Sequence, residues 1–396
     1  MRCLSLFIPL GLLACDPRGS DEPTGPLPPI DAALVDSQVD ADPPPDLGPP
    51  PPDAAPFEVP RQLTIGAYNV HNLFDLADDP NADEGEFTPG ARWNASDYAG
   101  RVAELARVFV ALNADVVAIT EIESEAALSG LRDAITEAGG PDYPFVAVSL
   151  TGDGRGIRLG VLSRVPLGQK GDRPINRVHM CEGDEGPVTL DGTDPEARPI
   201  FQVELELDPS QPGGEIVLLI NHWKARLDSF PCQDDQHRLR SALQLRDVVD
   251  ALIRQRPNVP VLALGDFNSF EFEAPLRTAL GSVLDPALLE TPGDLYNFWG
   301  DAGVELFNAN NNSRNNATNS SYAFRGDWTR LDHILMTANL EPDGGTAAWQ
   351  RVPGSGGNLH ADFLLDSSGY PLAWGDEGRR GFSDHLPVRV TLEQRP

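Results

Sequence analysis

Short apolar runs separated by polar residues recur along the chain from residue 63 onwards. They are typical of β-strands, several of them buried on both faces. The runs are LTIGAYN, DVVAITE, IRLGVLS, IFQVELEL, EIVLLINH, VPVLALGD, RLDHILM and LPVRVTL. Two segments, Ser96 to Leu112 and Leu239 to Arg254, instead repeat apolar residues at helical spacing, and Ser96 is suited to be an N-cap. Strands interleaved with few helices predict sheets packed face to face, with helices outside them.

The first residues, MRCLSLFIPLGLLAC, combine one basic residue with an apolar run too short to span a bilayer. This pattern predicts a secretory signal at residues 1–14. The ending LLAC resembles the bacterial lipobox, which implies cleavage before Cys15 and acylation of that cysteine. We therefore expect an exported protein, lipid-anchored to a bacterial membrane and facing the periplasm or the cell surface. An ordinary signal peptide cleaved nearby is the alternative.

Residues 16–60 are crowded with Pro, Asp and Ala and hold ten acidic residues against one basic residue. Such a composition buries too little apolar surface to offset chain entropy, so residues 15–60 are predicted to be a disordered linker. Since the whole chain carries −30 and Arg2 one positive charge, residues 61–396 carry −22. This acidity disfavours nucleic-acid binding through a broad basic patch, although a bound metal ion can supply positive charge locally.

Residues 61–396 contain no second Pro-rich break and no internal repeat, which predicts one large domain. Only Cys181 and Cys232 follow Cys15 in the chain. In an oxidising compartment these two cysteines are expected to form a disulfide, with a pair of free buried thiols as the alternative.

Polar residues follow or open the predicted strands, where side chains distant in sequence meet at one rim of a sheet. Carboxylate and amide oxygens without cysteine are suited to Mg²⁺, Mn²⁺ or Ca²⁺. A hard cation beside two histidines can stabilise a displacement at phosphorus, so the set predicts a phosphoesterase. The residues are Asn69, Glu121, His222, Asp266, Asn268, Asp332, Asp384 and His385.

The motifs YNVHN, ITEIE, INHWKAR, LGDFNS, RLDHIL and SDHLPV occur in this order between Leu63 and Leu392. Together they resemble the endonuclease/exonuclease/phosphatase superfamily, which includes DNase I-like nucleases. The resemblance implies an α+β fold, a four-layer α/β/β/α sandwich with two packed sheets flanked by helices and one active-site rim. It also implies a metal-dependent hydrolase that uses Mg²⁺ or, alternatively, Mn²⁺ or Ca²⁺.

The resemblance places the metal at Asn69, Glu121 and Asp384, with Glu121 as the principal ligand. Asn69 closing a turn, or Glu123 replacing Glu121, are the alternatives. Among the remaining histidines, His71 and His333 are expected to be neighbours of the site, and His179, His237 and His360 to be structural.

The resemblance also implies catalytic roles. Asp266 would orient and help deprotonate the attacking water, and Asn268 would hold a phosphate oxygen or the nucleophile. His385 would pair with Asp332, which orients the imidazole and raises its basicity. His222 would donate to the phosphate or assist the leaving group. Both Asp266 and His385 stay open as the general base.

The segment TGDGRGIRLGVLSR resembles one that flanks the site in the family, so Arg155, Arg158 and Arg164 are candidates for binding phosphate. An Asn-rich stretch leads into YAFRGDW, which is similar to secreted bacterial nucleases of the superfamily; a plain solvated loop is the alternative. We find no aromatic hairpin of the kind expected in a phospholipid-cleaving relative.

These features favour a monomeric phosphodiesterase, a nuclease of low sequence specificity with nucleic acid as its substrate. A phosphomonoesterase, a sphingomyelinase-like enzyme or an inositol-phosphate phosphatase on the same fold is the second hypothesis. An inactive surface binding module is the third, which the complete set of acids and histidines disfavours.

Overall fold

The computed structural model describes residues 59–90, 93–175, 198–207, 214–226, 231–302, 317–324, 326–375 and 380–395. Within the helix that begins at Pro231, side chains are described from residue 236 onwards. The leader, Cys15, Cys181, the Cys232 side chain and His179 lie outside the described residues. The lipid anchor, the linker and the disulfide therefore stay predictions.

The described part of the chain contains three α-helices and seventeen strands, together with short 3₁₀ turns and a π-helical turn at Pro275–Ala279. The helices are α1 (Ala95–Leu112), α2 (Glu125–Glu137) and α3 (Pro231–Gln255). The strands in the first half are β1 (Gln62–Leu73), β2 (Val116–Ile122), β3 (Phe145–Val148), β4 (Arg158–Ser163), β5 (Leu167–Arg173), β6 (Ile200–Glu206) and β7 (Glu215–His222). Those in the second half are β8 (Val261–Asp266), β9 (Ser282–Val283), β10 (Leu295–Asn297), β11 (Tyr322–Phe324), β12 (Asp327–Thr329), β13 (Asp332–Thr337), β14 (Trp349–Arg351), β15 (Gly357–Asn358), β16 (Trp374–Gly375) and β17 (Val388–Gln394).

Two mixed sheets form the centre of the fold. The first has the order β14-β17-β1-β2-β4-β3, with β15 also paired to β17, and the second has the order β5-β6-β7-β8-β13-β10-β9. Strands β1 and β2 are parallel, as are β7 and β8, whereas β13 and β17 run antiparallel to their neighbours β8 and β1. A separate hairpin joins β11 to β12.

Alternation of side chains along the strands assembles the four layers. In β7, Leu218 and Ile220 belong to a buried cluster that joins the two sheets, whereas Val217 and Leu219 pack with residues of α3. The first sheet does the same, since one face contacts the second sheet and the other packs on α1 and α2. Because strand side chains alternate between faces, strands apolar at every position are buried on both sides. The structure confirms the predicted α/β/β/α sandwich.

The helices differ from the predicted ones in detail. The N-cap of α1 is Asn94, whose side chain accepts the backbone N–H groups of Ser96 and Asp97, so the helix begins before Ser96. The predicted second helix lies inside the longer α3. Sequence reasoning missed α2, although Ala127, Leu128, Leu131 and Ile135, its buried residues, have helical spacing. No helix in the described ranges combines the length and the apolar character needed to cross a bilayer.

Candidate active site

The pairing of the strands brings the predicted residues to one rim. In the second sheet, His222 at the end of β7 is in register with Asp266 at the end of β8, and Asp332 at the start of β13 faces Asp266 from the other side. In the first sheet, Asn69 of β1 is in register with Thr120 of β2. Parallel strands end at the same edge, so the polar residues that follow each apolar run meet there.

Unusual backbone geometry aims two of these side chains. Glu121 has φ 65° at a register shift between Thr120 and Ile122 in the pairing of β2 with β4, and Asn268 has φ 46° just beyond β8. Such left-handed conformations cost energy in non-glycine residues and persist where the surrounding structure imposes them. Gly265 allows the close approach of β7 and β8, since a Cβ there would lie 2.1 Å from the carbonyl oxygen of Asn221. Local strain is therefore concentrated at the rim.

Asn69 links carboxylates from both sheets. Its Nδ2 donates to Glu121 Oε1 at 3.1 Å and to Asp266 Oδ2 at 3.0 Å, while its Oδ1 accepts the backbone N–H of His71 at 2.9 Å. His222 Nε2 lies 3.6 Å from the same two carboxylate oxygens. In this arrangement Asn69 positions Glu121 through its amide nitrogen.

His385 lies between two carboxylates. Its Nδ1 is 2.7 Å from Asp332 Oδ2, and its Nε2 is 3.8 Å from Asp266 Oδ2. Burial lowers the pKa of His385, but the charges of Asp332 and Asp266 outweigh burial and bring the pKa well above its ordinary value. The imidazole is accordingly held in its protonated form, with Nε2 on the side of Asp266. The structure brings together the predicted Asp332–His385 pair.

The pKa values of the other titratable groups at the rim shift in different directions. Burial raises the pKa of Asp266 to about 7, and Asp332 adds to this effect while His385 opposes it. Burial, with the positive charges of Arg198 and His385, lowers the pKa of His222 well below its ordinary value, so His222 is neutral and offers one donor and one acceptor nitrogen. For Asp384 burial raises the pKa, but His385 and His71 outweigh it and lower the pKa overall, which keeps the carboxylate ionised.

The residues present fit a hard divalent cation. Glu121, Asp266 and Asp384 place carboxylates on one cavity, and uncompensated negative charge there is what such a cation offsets. Asp266, Asp332 and His385 are also close enough together to hold an ion. However, His385 Nδ1 is already bonded to Asp332 Oδ2 at 2.7 Å, so this nitrogen is not free to bind an ion. Glu123, the alternative ligand, instead accepts the backbone N–H of Asp75 at 2.7 Å and does not line the cavity.

An open cavity of about 420 Å³ lies at the rim. It is lined by Glu121, Arg155, Arg198, His222, Ala225, Arg226, Asp266, Asn268, Phe270, Tyr322, Phe324, Asp327, Thr329, Leu331, Asp384 and His385. A cavity of this size is typical of small-ligand sites.

The three candidate arginines are in different places. Arg155 lines the cavity, whereas Arg158, which opens β4 opposite Ile122, does not. Arg164 follows the other end of β4 and donates to Asp115 Oδ1 and Asn113 Oδ1, both at 2.8 Å. Because β4 is antiparallel to β2, Arg164 lies at the rim remote from Glu121. Its assignment to phosphate binding is therefore corrected.

Sequence reasoning missed several residues of the cavity. Arg198 and Arg226 belong to no predicted set, although Arg226 ends the quoted motif INHWKAR. Tyr322 and Phe324 come from YAF, and the ring of Tyr322 lies 4.7 Å from that of His385. Arg198 carried no signal, because an isolated arginine before a strand is common.

Buried polar residues support the site from behind. Arg101 of α1 is fully buried and donates to the carbonyl oxygens of Val70, His71 and Phe382. Ser383 Oγ donates to the carbonyl oxygen of Asn69 at 2.7 Å. These bonds tie the end of β1 to the segment that carries Asp384 and His385.

His333 is a structural neighbour of the site. Its ring nitrogens lie 2.9 Å from the carbonyl oxygen of Ser269 and 3.0 Å from Asn297 Nδ2, and burial lowers its pKa to about 3. It is a buried neutral histidine that does not line the cavity.

The family model described as the Endonuclease/Exonuclease/phosphatase family matches residues 64–394. A search of curated proteins finds no match. Among solved structures, an endonuclease/exonuclease/phosphatase family protein from Bacteroides thetaiotaomicron is similar, with 18% identity over 84% of this chain and 95% of that chain and a TM-score of 0.50.

Two further solved structures are more distant in shape. A mannosyl-6-phosphatase from Bacteroides thetaiotaomicron has 18% identity over 83% of this chain and 99% of that chain, with a TM-score of 0.48. A humanized D. rerio TDP2 has 14% identity over 85% of this chain and 100% of that chain, also with a TM-score of 0.48. The family match covers nearly all of the described fold and includes every residue of the rim. The chain therefore belongs to the endonuclease/exonuclease/phosphatase family.

Proposed function

We propose that this protein is a divalent-metal-dependent phosphodiesterase, a nuclease of low sequence specificity. Membership of the family assigns it to the hydrolases of phosphoester bonds. The observation that carries the proposal is His385, placed between Asp332 and Asp266 on the cavity that Glu121 and Asp384 also line. Protonated and neutral histidines beside ionised carboxylates provide the donors and the base that displacement at phosphorus requires.

Each rim residue has a role in this reaction. Asp266, whose pKa burial raises to about 7, accepts the proton of the attacking water, since a base acts best with a pKa near the working pH. The backbone N–H of Asn268 donates to Asp266 Oδ1 at 2.9 Å and orients the carboxylate. His385 donates from Nε2 to a phosphate oxygen, and neutral His222 donates beside it. Mg²⁺ or Mn²⁺, held by Glu121 and Asp384, would polarise the phosphoryl group and offset its charge.

The wall of the cavity supports a nucleic-acid substrate. Arg155, Arg198 and Arg226 offer cations to phosphates, and the aromatic ring of Phe324, which is 52% exposed, lines the same cavity. Stacking and phosphate contacts bind a strand with little regard to its sequence. The acidic remainder of the chain restricts these contacts to a few nucleotides near the centre.

A substrate panel tests this function. We expect the purified full-length protein to cleave plasmid DNA or RNA with Mg²⁺ or Mn²⁺, and to be inactive in chelator. Sphingomyelin and p-nitrophenyl phosphate should be poor substrates. Rapid hydrolysis of p-nitrophenyl phosphate with intact DNA and RNA would replace the proposal with the phosphomonoesterase hypothesis. No turnover of any substrate with any of Mg²⁺, Mn²⁺ and Ca²⁺ would favour the binding module.

We also propose that the protein is exported and anchored through an acylated Cys15. Each buried acyl CH₂ contributes about 0.8 kcal/mol to membrane binding. We expect Cys15→Ser to move the protein from the membrane to the soluble fraction on cell fractionation. Cys3→Ser, within the predicted leader, is the matched control and should leave the distribution unchanged. Membrane association that survives Cys15→Ser would contradict the anchor.

A further inference from the structure

Two arginines beside the reaction centre share one carboxylate. We propose that Arg155 and Arg198, held by Asp153, form an anion subsite that binds a second phosphate of the substrate, next to the one being cleaved. We call these three residues the arginine subsite. The inference rests on the proposed function, because it concerns the substrate of the same cavity.

Asp153 organises the arginine subsite. Arg198 Nη2 donates to Asp153 Oδ2 at 2.8 Å, and Arg155 Nη2 lies 3.6 Å from the same oxygen. Asp153 Oδ1 accepts the backbone N–H groups of Arg155 and Ile157 at 2.9 and 3.0 Å, which closes the loop that carries Arg155. Asp153 therefore holds the guanidinium group of Arg198 by a hydrogen bond and has that of Arg155 within ion-pair distance.

The balance of charge leaves this subsite cationic. Two guanidinium groups face one carboxylate, and the side chain of Arg198 is only 11% exposed, so its charge is poorly screened by water. The buried Nε of Arg198 has no hydrogen-bond partner within the described part of the chain. Arg226, which also lines the cavity, differs because both oxygens of Glu273 accept from its Nη1, at 2.9 and 2.7 Å. The surplus positive charge lies with Arg155 and Arg198.

The position of the subsite favours a second phosphate over the scissile one. Arg198 Nη1 lies 3.4 Å from the carbonyl oxygen of Trp223, the residue after His222, and both arginines line the cavity. His222 and His385 already offer donors to the scissile phosphate at the centre of the rim. A nucleic-acid strand held there presents its neighbouring phosphate to the adjoining wall. Guanidinium groups bind phosphate oxygens through paired, charge-assisted hydrogen bonds.

Calorimetric titration with Mg²⁺ compares ligands that carry one or two phosphates. We expect the full-length protein to bind thymidine 3′,5′-bisphosphate at least about tenfold more tightly than either thymidine monophosphate, the scale of one charge-assisted hydrogen bond. Arg155→Gln should remove most of this difference and leave the affinity for the more tightly bound monophosphate within about twofold. Arg155 is 47% exposed, so the variant should fold. Arg277→Gln, an exposed arginine away from the cavity, is the charge-matched control.

Arg198→Gln should reproduce the effect of Arg155→Gln. If Arg198→Gln melts at a lower temperature than the unmodified protein, Arg155→Gln alone is used to test the arginine subsite. Equal affinity of the unmodified protein for one and two phosphates would overturn the arginine subsite. A loss of affinity in Arg155→Gln that is as large for the more tightly bound monophosphate as for the bisphosphate would also overturn it, because the arginine would then bind the scissile phosphate.

Cleavage of plasmid DNA is measured separately. If the protein prefers the bisphosphate but does not cleave DNA, the arginine subsite is supported and the nuclease function is contradicted. If it cleaves DNA without this preference, the nuclease function is supported and the arginine subsite is contradicted.

Discussion

Replacing His385 with alanine is expected to lower kcat for the phosphodiester substrate by about two to four orders of magnitude, the usual scale of lost acid–base assistance. The imidazolium Nε2 lies on the side of Asp266, and Asp332 fixes the ring at 2.7 Å through Nδ1. Asp332→Asn should have an effect of similar size, because an amide neither holds the proton on the imidazole nor stabilises its charge.

The double variant separates a functional pair from two independent residues. If His385 and Asp332 act as one unit, the double variant should lose little more than His385→Ala alone. Melting temperatures should identify any loss caused by unfolding. His360→Ala, at an exposed histidine, is the control and should keep full turnover. Losses that multiply in a folded double variant would show that the two residues act separately.

Glu121→Gln is expected to weaken the binding of Mn²⁺ by more than about 100-fold, the upper end of the range seen when only residues behind a ligand are changed. One carboxylate charge is removed while the size of the side chain is kept, so Asn69 and His222 should stay in place. Turnover at low metal concentration should fall in parallel. Calorimetric titration of Mn²⁺ into the protein provides a readout independent of activity.

Glu125→Gln is the matched control for Glu121, since Glu125 is exposed on the first turn of α2 and carries the same charge. It should bind Mn²⁺ like the unmodified protein. Unchanged Mn²⁺ affinity in Glu121→Gln, or full turnover in chelator, would show that the metal site has been placed wrongly.

Much of the rim was predictable because its residues follow local patterns. Asn69, Glu121, His222 and Asp266 each come at the end of an apolar run, and strand ends in a packed sheet share an edge. The family and the sandwich fold were predicted from motifs of this kind and are confirmed. Residues outside such patterns were not predictable, since nothing near Arg198 in sequence indicates that its side chain enters the cavity.

The sequence by itself determined eight of the seventeen described strands, the family and the chemical types at the rim, because these depend on the order and spacing of neighbouring residues. The tertiary structure alone decided which candidates meet. Antiparallel pairing placed Arg164 at the remote rim, and the fold placed Glu121, but not Glu123, on the cavity. The tertiary structure also decided the protonation of His385 and His222, because burial and the distances to Asp332, Asp266 and Arg198 set the charges of the two rings. Electrostatic energy depends on separation in space, which local sequence patterns do not specify.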